Sequence, residues 1–175
     1  MFIWTAIDVN QQLCEIRKHI TEMPYSQNPC LTLPLHVSLK ISFEAEDKIA
    51  NDVIQAIAEY LSSQTPFVMK PQAIECYTRV TWISMQPSTI LESLHDGMDH
   101  IMESRFGIQP HEFDRAFRYH ASLFYADDGK YVQEAYQLLK DVTVPEQLLA
   151  DTFVIGVSDS GAAGTYHVIK TIYVG

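Results

Sequence analysis

One order of elements occurs twice in this chain. Two apolar stretches, Pro34–Phe43 (PLHVSLKISF) and Arg118–Tyr125 (RYHASLFY), each carry a His-x-Ser triplet. Each is followed by an amphipathic helical stripe and then by two further strand-like runs, and the two histidines, His36 and His120, stand 84 positions apart. Strand geometry alternates side chains between two faces, so in the first stretch Leu35, Val37, Leu39, Ile41 and Phe43 share one face. His36, Ser38, Lys40 and Ser42 share the other. In the second, Tyr119, Ala121, Leu123 and Tyr125 alternate against His120, Ser122 and Phe124. A strand–helix–strand–strand unit used twice predicts an α+β fold: a bilobal, pseudo-twofold arrangement of two antiparallel β-sheets, with helices on the outer faces and a central cleft. The two halves show little identity and no linker parts them, so residues 1–175 read as one domain.

The remaining elements follow from local patterning. Phe2–Asp8 reads as a buried strand, and Asn10 as the cap of a helix carrying Leu13, Ile16 and Ile20. Met23–Pro34 reads as a loop. Ile49, Val53, Ile57 and Tyr60 mark a helix, followed by strands over Phe67–Glu75 and Arg79–Gln86. Ser88 caps a helix with Leu91, Leu94, Met98 and Ile101 on one side. Gly107–Arg118 is irregular. Val132, Ala135, Tyr136 and Leu139 form the second helical stripe, and strands over Asp151–Ser158 and Thr165–Val174 flank a Gly161/Gly164 turn.

Charge narrows the partners. With 22 acidic against 12 basic residues the formal charge is −10, and there is no basic run. Affinity for long nucleic acid comes largely from neutralising phosphates, so a duplex binder is disfavoured and a small anionic substrate in a locally positive pocket is retained. No apolar run approaches a membrane span, and Asp8 interrupts the opening stretch too early for a signal peptide. Cys14, Cys30 and Cys76 are odd in number and widely spaced, which suggests neither a disulfide framework nor a zinc site. A monomer in the cytoplasm is expected, with no metal and no cofactor.

Two imidazoles and two hydroxyls converging on one cleft would suit metal-free phosphoryl transfer. One histidine takes a proton from the attacking oxygen and the other supplies one to the leaving oxygen, with Ser38 and Ser122 donating to the non-bridging oxygens. The triplet alone is a weak signal, since seven histidines yield about one chance match. His19-Ile20-Thr21 is such a match, at the end of the first helix, where positions i and i+2 do not share a face. The matched strand context is what separates His36 and His120 from it.

These residues carry a resemblance. HVSL and HASL, each in an apolar strand with the same elements behind it, resemble the paired signatures of the two-histidine (2H) phosphoesterases. That superfamily includes the 2′–5′ RNA ligase-like proteins and RNA 2′,3′-cyclic phosphodiesterases. FIWTAIDV and FVIGVSDSGAAGTYHVI resemble the family's first strand and its closing strand, turn and Tyr-bearing strand. The resemblance implies a bilobal fold, a site in the central cleft, and catalysis by His36, Ser38, His120 and Ser122. It implies opening of a 2′,3′-cyclic phosphate or a related nucleotide or RNA-end phosphodiester, with ligase-like reversal from the shared transition state. The partner would be a small nucleotide, a short oligonucleotide or an RNA terminus. A non-catalytic nucleotide-binding module in the same cleft is the alternative.

Around the four, Lys40 shares the face of His36 and is a candidate phosphate contact. Phe124, Tyr125, Trp82 and Tyr166 are candidates for stacking on a base, Phe124 and Tyr166 foremost for substrate binding. His95, Asp99 and His100 offer a metal-hydrolase reading, but i,i+4 spacing with no second ligand pair favours exposed helix polarity.

Overall fold

The computed structural model describes residues 1–22 and 28–175. Part of the expected Met23–Pro34 loop lies outside the described residues. The strands are β1 (Phe2–Asp8), β2 (His36–Ser38), β3 (Phe43–Glu44), β4 (Phe67–Met69), β5 (Pro71–Cys76), β6 (Val80–Met85), β7 (His120–Tyr125), β8 (Leu148–Ala150), β9 (Thr152–Ser158) and β10 (His167–Tyr173). The helices are α1 (Cys14–Thr21), α2 (Asp47–Ser62), α3 (Thr89–Phe106) and α4 (Gly129–Leu139). The α+β class with antiparallel sheets is as expected.

The two halves do not form separate sheets. They are the wings of one eight-stranded sheet ordered β10-β9-β1-β2-β7-β6-β5, with β3 also on β1; β4 and β8 make a two-stranded ribbon apart from it. The wings join where β2 meets β7, at the pair Val37 and Ala121. Both side chains are fully buried, so the joint is sealed from the helical side.

One face of the sheet is covered by the helices. Ile3 and Ile7 of β1, Val37, Ala121 and Leu123, and Phe153 and Ile155 of β9 pack there with Val53, Ile57 and Leu61 of α2, Leu91 and Met98 of α3, and Val132 and Leu139 of α4. Burial of this continuous apolar layer is what holds the two wings in one body. On the opposite face, Trp4, Ala6 and Val154 form a second small cluster with Leu33, Tyr166 and Val168. That open face carries the polar row.

Three local expectations are corrected. Asn10 does not cap α1; Leu13 occupies the cap without a side-chain bond. The Asn10 carboxamide oxygen instead accepts from Arg17 (2.8 Å) and from the Leu35 amide (3.2 Å), tying α1 to the approach of β2. The strand expected over Phe67–Glu75 is split: β4 pairs with β8, whereas β5 pairs with β6. The strand expected from Leu35 to Phe43 is strand only at β2 and β3; between them Lys40 bonds Asp99 and Asp114, and the Ile41 amide donates to Asp114. The Ser88 cap stands as expected, accepting from the Leu91 amide at 3.3 Å, and α3 ends on Gly107 in the left-handed region, φ 69°.

Candidate active site

The register at the joint decides what faces what. With Val37 opposite Ala121, antiparallel pairing sets His36 beside Ser122 and Ser38 beside His120. The two histidines are then diagonal neighbours, about 7–8 Å apart at the backbone, room for one tetrahedral phosphate between two imidazoles. His36, Ser38, His120 and Ser122 all line one cavity of about 320 Å³ on the open face, with Trp4, Tyr125 and Tyr166. His19, by contrast, is exposed on α1 and is not among the residues that line this cavity.

Each histidine is held by the same local device. His36 Nδ1 lies 2.7 Å from the Pro34 carbonyl oxygen, and His120 Nδ1 lies 2.7 Å from the Arg118 carbonyl oxygen. A carbonyl only accepts, so each Nδ1 carries the hydrogen and each Nε2 keeps its lone pair in the neutral ring. Burial pushes the His36 pKa down to about 4, with the Pro34 carbonyl opposing and a charge on His120 adding to the depression. Burial also lowers His120, against the pull of the Arg118 carbonyl.

Each is also braced by a tryptophan. Trp4 meets His36 edge-on, centroids 4.4 Å apart, and Trp82 stacks on His120 at 4.0 Å with 28° between planes. Trp4 Nε1 further donates to Ser38 Oγ at 3.2 Å. With an acceptor site of Ser38 filled by that N–H, its own O–H is left to donate into the cavity. The indole lies against β9 only because residue 156 is glycine: a Cβ there would stand 2.6 Å from Trp4 Cε3. A glycine inside an apolar strand is a sign of such close approach, and Trp4 is the site residue the sequence reading passed over.

Lys40 lines the same cavity, but its ammonium is already engaged by two carboxylates. Its side chain is 2% exposed, and its ammonium donates to the Asp99 carboxylate and, at 2.6 Å, to Asp114 Oδ2. Asp114 also accepts from the amides of Ile41 (3.0 Å) and His111 (2.8 Å). Burial works to raise its pKa, but Lys40 and these two N–H groups outweigh it and hold the carboxyl below its usual value. His95 lies in the same cluster, its ring nitrogens 2.8 and 3.0 Å from the carbonyl oxygens of Leu39 and Asp114. His95 and Asp99 are therefore not exposed helix polarity. With Asp114 they form a compact group of potential metal ligands, but the Lys40 ammonium already sits on both carboxylates. His100 is exposed on α3, apart from them.

Phe124 is corrected as well. Trp82 stands opposite Ser122, but Thr81 stands opposite Phe124, so Leu123 is an extra residue in β7. This bulge breaks the alternation. Leu123 and Phe124 both turn into the core, and Tyr125 takes the place at the cavity that Phe124 was expected to fill. Tyr166 does line the cavity, just ahead of β10, and its buried hydroxyl has no hydrogen-bond partner among the described residues.

Comparison with known proteins places the fold. No family model matches the chain, and no curated protein does. Solved structures do, end to end. TT0787 of Thermus thermophilus superposes with a TM-score of 0.63 at 15% identity, covering 99% of this chain and 98% of that one. LigT of E. coli complexed with 3′-AMP superposes at 0.61 with 20% identity, covering 98% and 97%. A structure described as a phosphoesterase superposes at 0.60 with 18% identity, covering 99% and 98%. The chain has the fold of these proteins.

Proposed function

We propose that this protein is a metal-independent phosphodiesterase of the two-histidine type. Its substrate is a 2′,3′-cyclic phosphate or a related nucleotide or RNA-end phosphodiester. One observation carries the reading: two histidines with the same Nδ1-to-carbonyl tether, each diagonal to the other and beside a serine of the neighbouring strand, line one cavity. The resemblance of HVSL and HASL to the 2H signatures supports it. So does the fold shared with LigT, solved with 3′-AMP, and with a phosphoesterase.

In hydrolysis, His36 Nε2 takes a proton from water as its oxygen bonds to phosphorus. The bond from phosphorus to one ribose oxygen breaks, and His120 Nε2–H gives its proton to that oxygen. His120, stacked on the Trp82 face, is better placed to carry the cation, which leaves His36, whose pKa burial lowers to about 4, as the neutral base. Ser38 and Ser122 donate to the non-bridging oxygens, where charge grows in the transition state. Proton exchange with solvent then restores both rings. Run backwards, the same steps join a hydroxyl to a phosphate.

The test is turnover of 2′,3′-cyclic nucleotides and cyclic-phosphate-ended oligonucleotides, with products assigned as 2′- or 3′-phosphates. Activity is expected to survive thorough chelation and to be lost in folded His36→Ala and His120→Ala. The double variant should lose far less than the product of the two single losses, because the pair acts as a unit. Turnover retained by folded His120→Ala would overturn the proposal.

A further inference from the structure

Asn28 is 5% exposed, and its carboxamide takes the place of a neighbouring strand beside β7. Strand β2 begins only at His36, and Pro34 ahead of it has no N–H to give. Beyond Ser122, the backbone of β7 is met instead by Asn28. Its Nδ2 donates to the Leu123 carbonyl oxygen at 2.8 Å, and its Oδ1 accepts from the Tyr125 amide at 3.2 Å. The same oxygen accepts from the Cys30 amide at 3.1 Å and so caps a short 3-10 turn over Pro29–Leu31. The bonds to β7 grip both ends of its bulge: the carbonyl of the extra residue and the amide of the residue that reaches the cavity. Among short side chains only asparagine offers a donor and an acceptor in this fork.

We infer that Asn28 is a positioning residue that fixes the Tyr125 ring at the cavity, where that ring receives the base of the substrate. Asn28 thereby sets affinity for the base without touching it. The inference rests on the catalytic reading above. Tyr125, Pro29 and Cys30 all line the cavity, and Asn28 is not among the lining residues. The Arg79 guanidinium lies over the Tyr125 ring, 5.1 Å from its centroid, which leaves the opposite face as the one for a base. Without the grip of Asn28 the bulge has no fixed register at its outer end. Tyr125 then loses its place, while His36 and His120 keep their own tethers to Pro34 and Arg118.

The experiment compares a nucleoside 2′,3′-cyclic phosphate with the same cyclic phosphate on 1-O-methylribose, which has no base. Asn28→Ser keeps a hydroxyl to cap the Pro29 turn and is too short to hold β7. Loss of one base stack is worth about tenfold, so KM for the nucleotide should rise about tenfold in Asn28→Ser with kcat little changed. Both constants for the base-free substrate should stay at their wild-type values. In a Tyr125→Leu background Asn28→Ser should add nothing further. Asn28→Asp, which keeps both acceptances and loses only the donation to Leu123, carries the same test should Asn28→Ser not fold. An equal loss on both substrates, no loss on either, or a full additional loss in Tyr125→Leu would overturn the inference. If the wild type turned over neither substrate, the catalytic reading would fall and calorimetry would decide the role of Asn28. A tenfold loss of affinity for a nucleoside 3′-phosphate, absent for 1-O-methylribose 3-phosphate, supports it. Equal affinities in wild type and variant, or no binding of the nucleotide by wild type, refute it.

Discussion

Lys40→Met separates a structural lysine from a substrate-binding one. Methionine keeps most of the aliphatic stem and deletes the ammonium, which leaves Asp114, with a side chain 0% exposed, and Asp99, 17% exposed, facing each other without a cation. Removing one member of a buried ion pair costs about 3–5 kcal/mol. Asp114 keeps its bonds from Ile41 and His111, and Asp99 touches solvent, so the loss should fall at the lower end, about 3 kcal/mol. For a chain of this length that is a drop in Tm of about 6–12 °C. The Asp114 carboxyl has its pKa lowered by folding, so its contribution is present above its unfolded value and is lost as pH falls through the depressed one. The gap between wild type and variant should therefore narrow on acidification. Urea melts followed by circular dichroism at neutral and acid pH give the stabilities, and Lys40→Met/Asp114→Asn should recover part of the loss. If Lys40→Met were as stable as wild type to within about 0.5 kcal/mol, the variation usual for surface positions, the burial argument would be wrong. A raised KM in that stable variant would return Lys40 to the substrate.

Three further outcomes are expected. In the free enzyme, kcat/KM should rise as His36 loses its proton near pH 4 and fall as His120 loses its own below 6.5, giving an acidic optimum; a plateau reaching alkaline pH would contradict the assignment. The kcat profile should sit at higher pH, because a bound phosphate anion favours both imidazolium forms. Gly156→Ala puts a Cβ 2.6 Å from the Trp4 ring and 3.0 Å from the His167 carbonyl oxygen, and should cost about 1–3 kcal/mol of stability together with activity, read by thermal melts and kcat. Trp4→Phe keeps the flat ring and loses the N–H: kcat should fall with KM little changed, and the loss should largely vanish in a Ser38→Ala background, where a full additive loss would show that Trp4 does not act through Ser38.

The row of His36, Ser38, His120 and Ser122 was legible because alternation along a strand is a local property, and because the chain repeats the whole unit. What escaped depends on cross-strand and long-range pairing. The bulge at Leu123 exists only in the register of β7 against β6, and without that register Phe124 counts onto the wrong face. Lys40 looks like a solvated strand end until Asp99 and Asp114, 59 and 74 positions away, close over it. The break between β4 and β5 reflects the pairing of Phe67–Met69 with Leu148–Ala150, a ribbon that no local pattern announces. Trp4 looks like plain core because β1 is apolar on both faces, and only Gly156 across the ladder hints that one of those faces opens on the site.

The chain has two tryptophans, and each touches one of the two histidines, Trp4 at 4.4 Å from His36 and Trp82 at 4.0 Å from His120. Excited at wavelengths that spare the tyrosines, the protein therefore emits only from two indoles, each set against one member of its proposed catalytic pair. A protonated imidazole quenches an adjacent indole more strongly than a neutral one does. Emission from a Trp82→Phe protein thus follows the charge on His36, and emission from a Trp4→Phe protein follows the charge on His120. The two proton carriers, coupled in any kinetic profile, become separately visible as light.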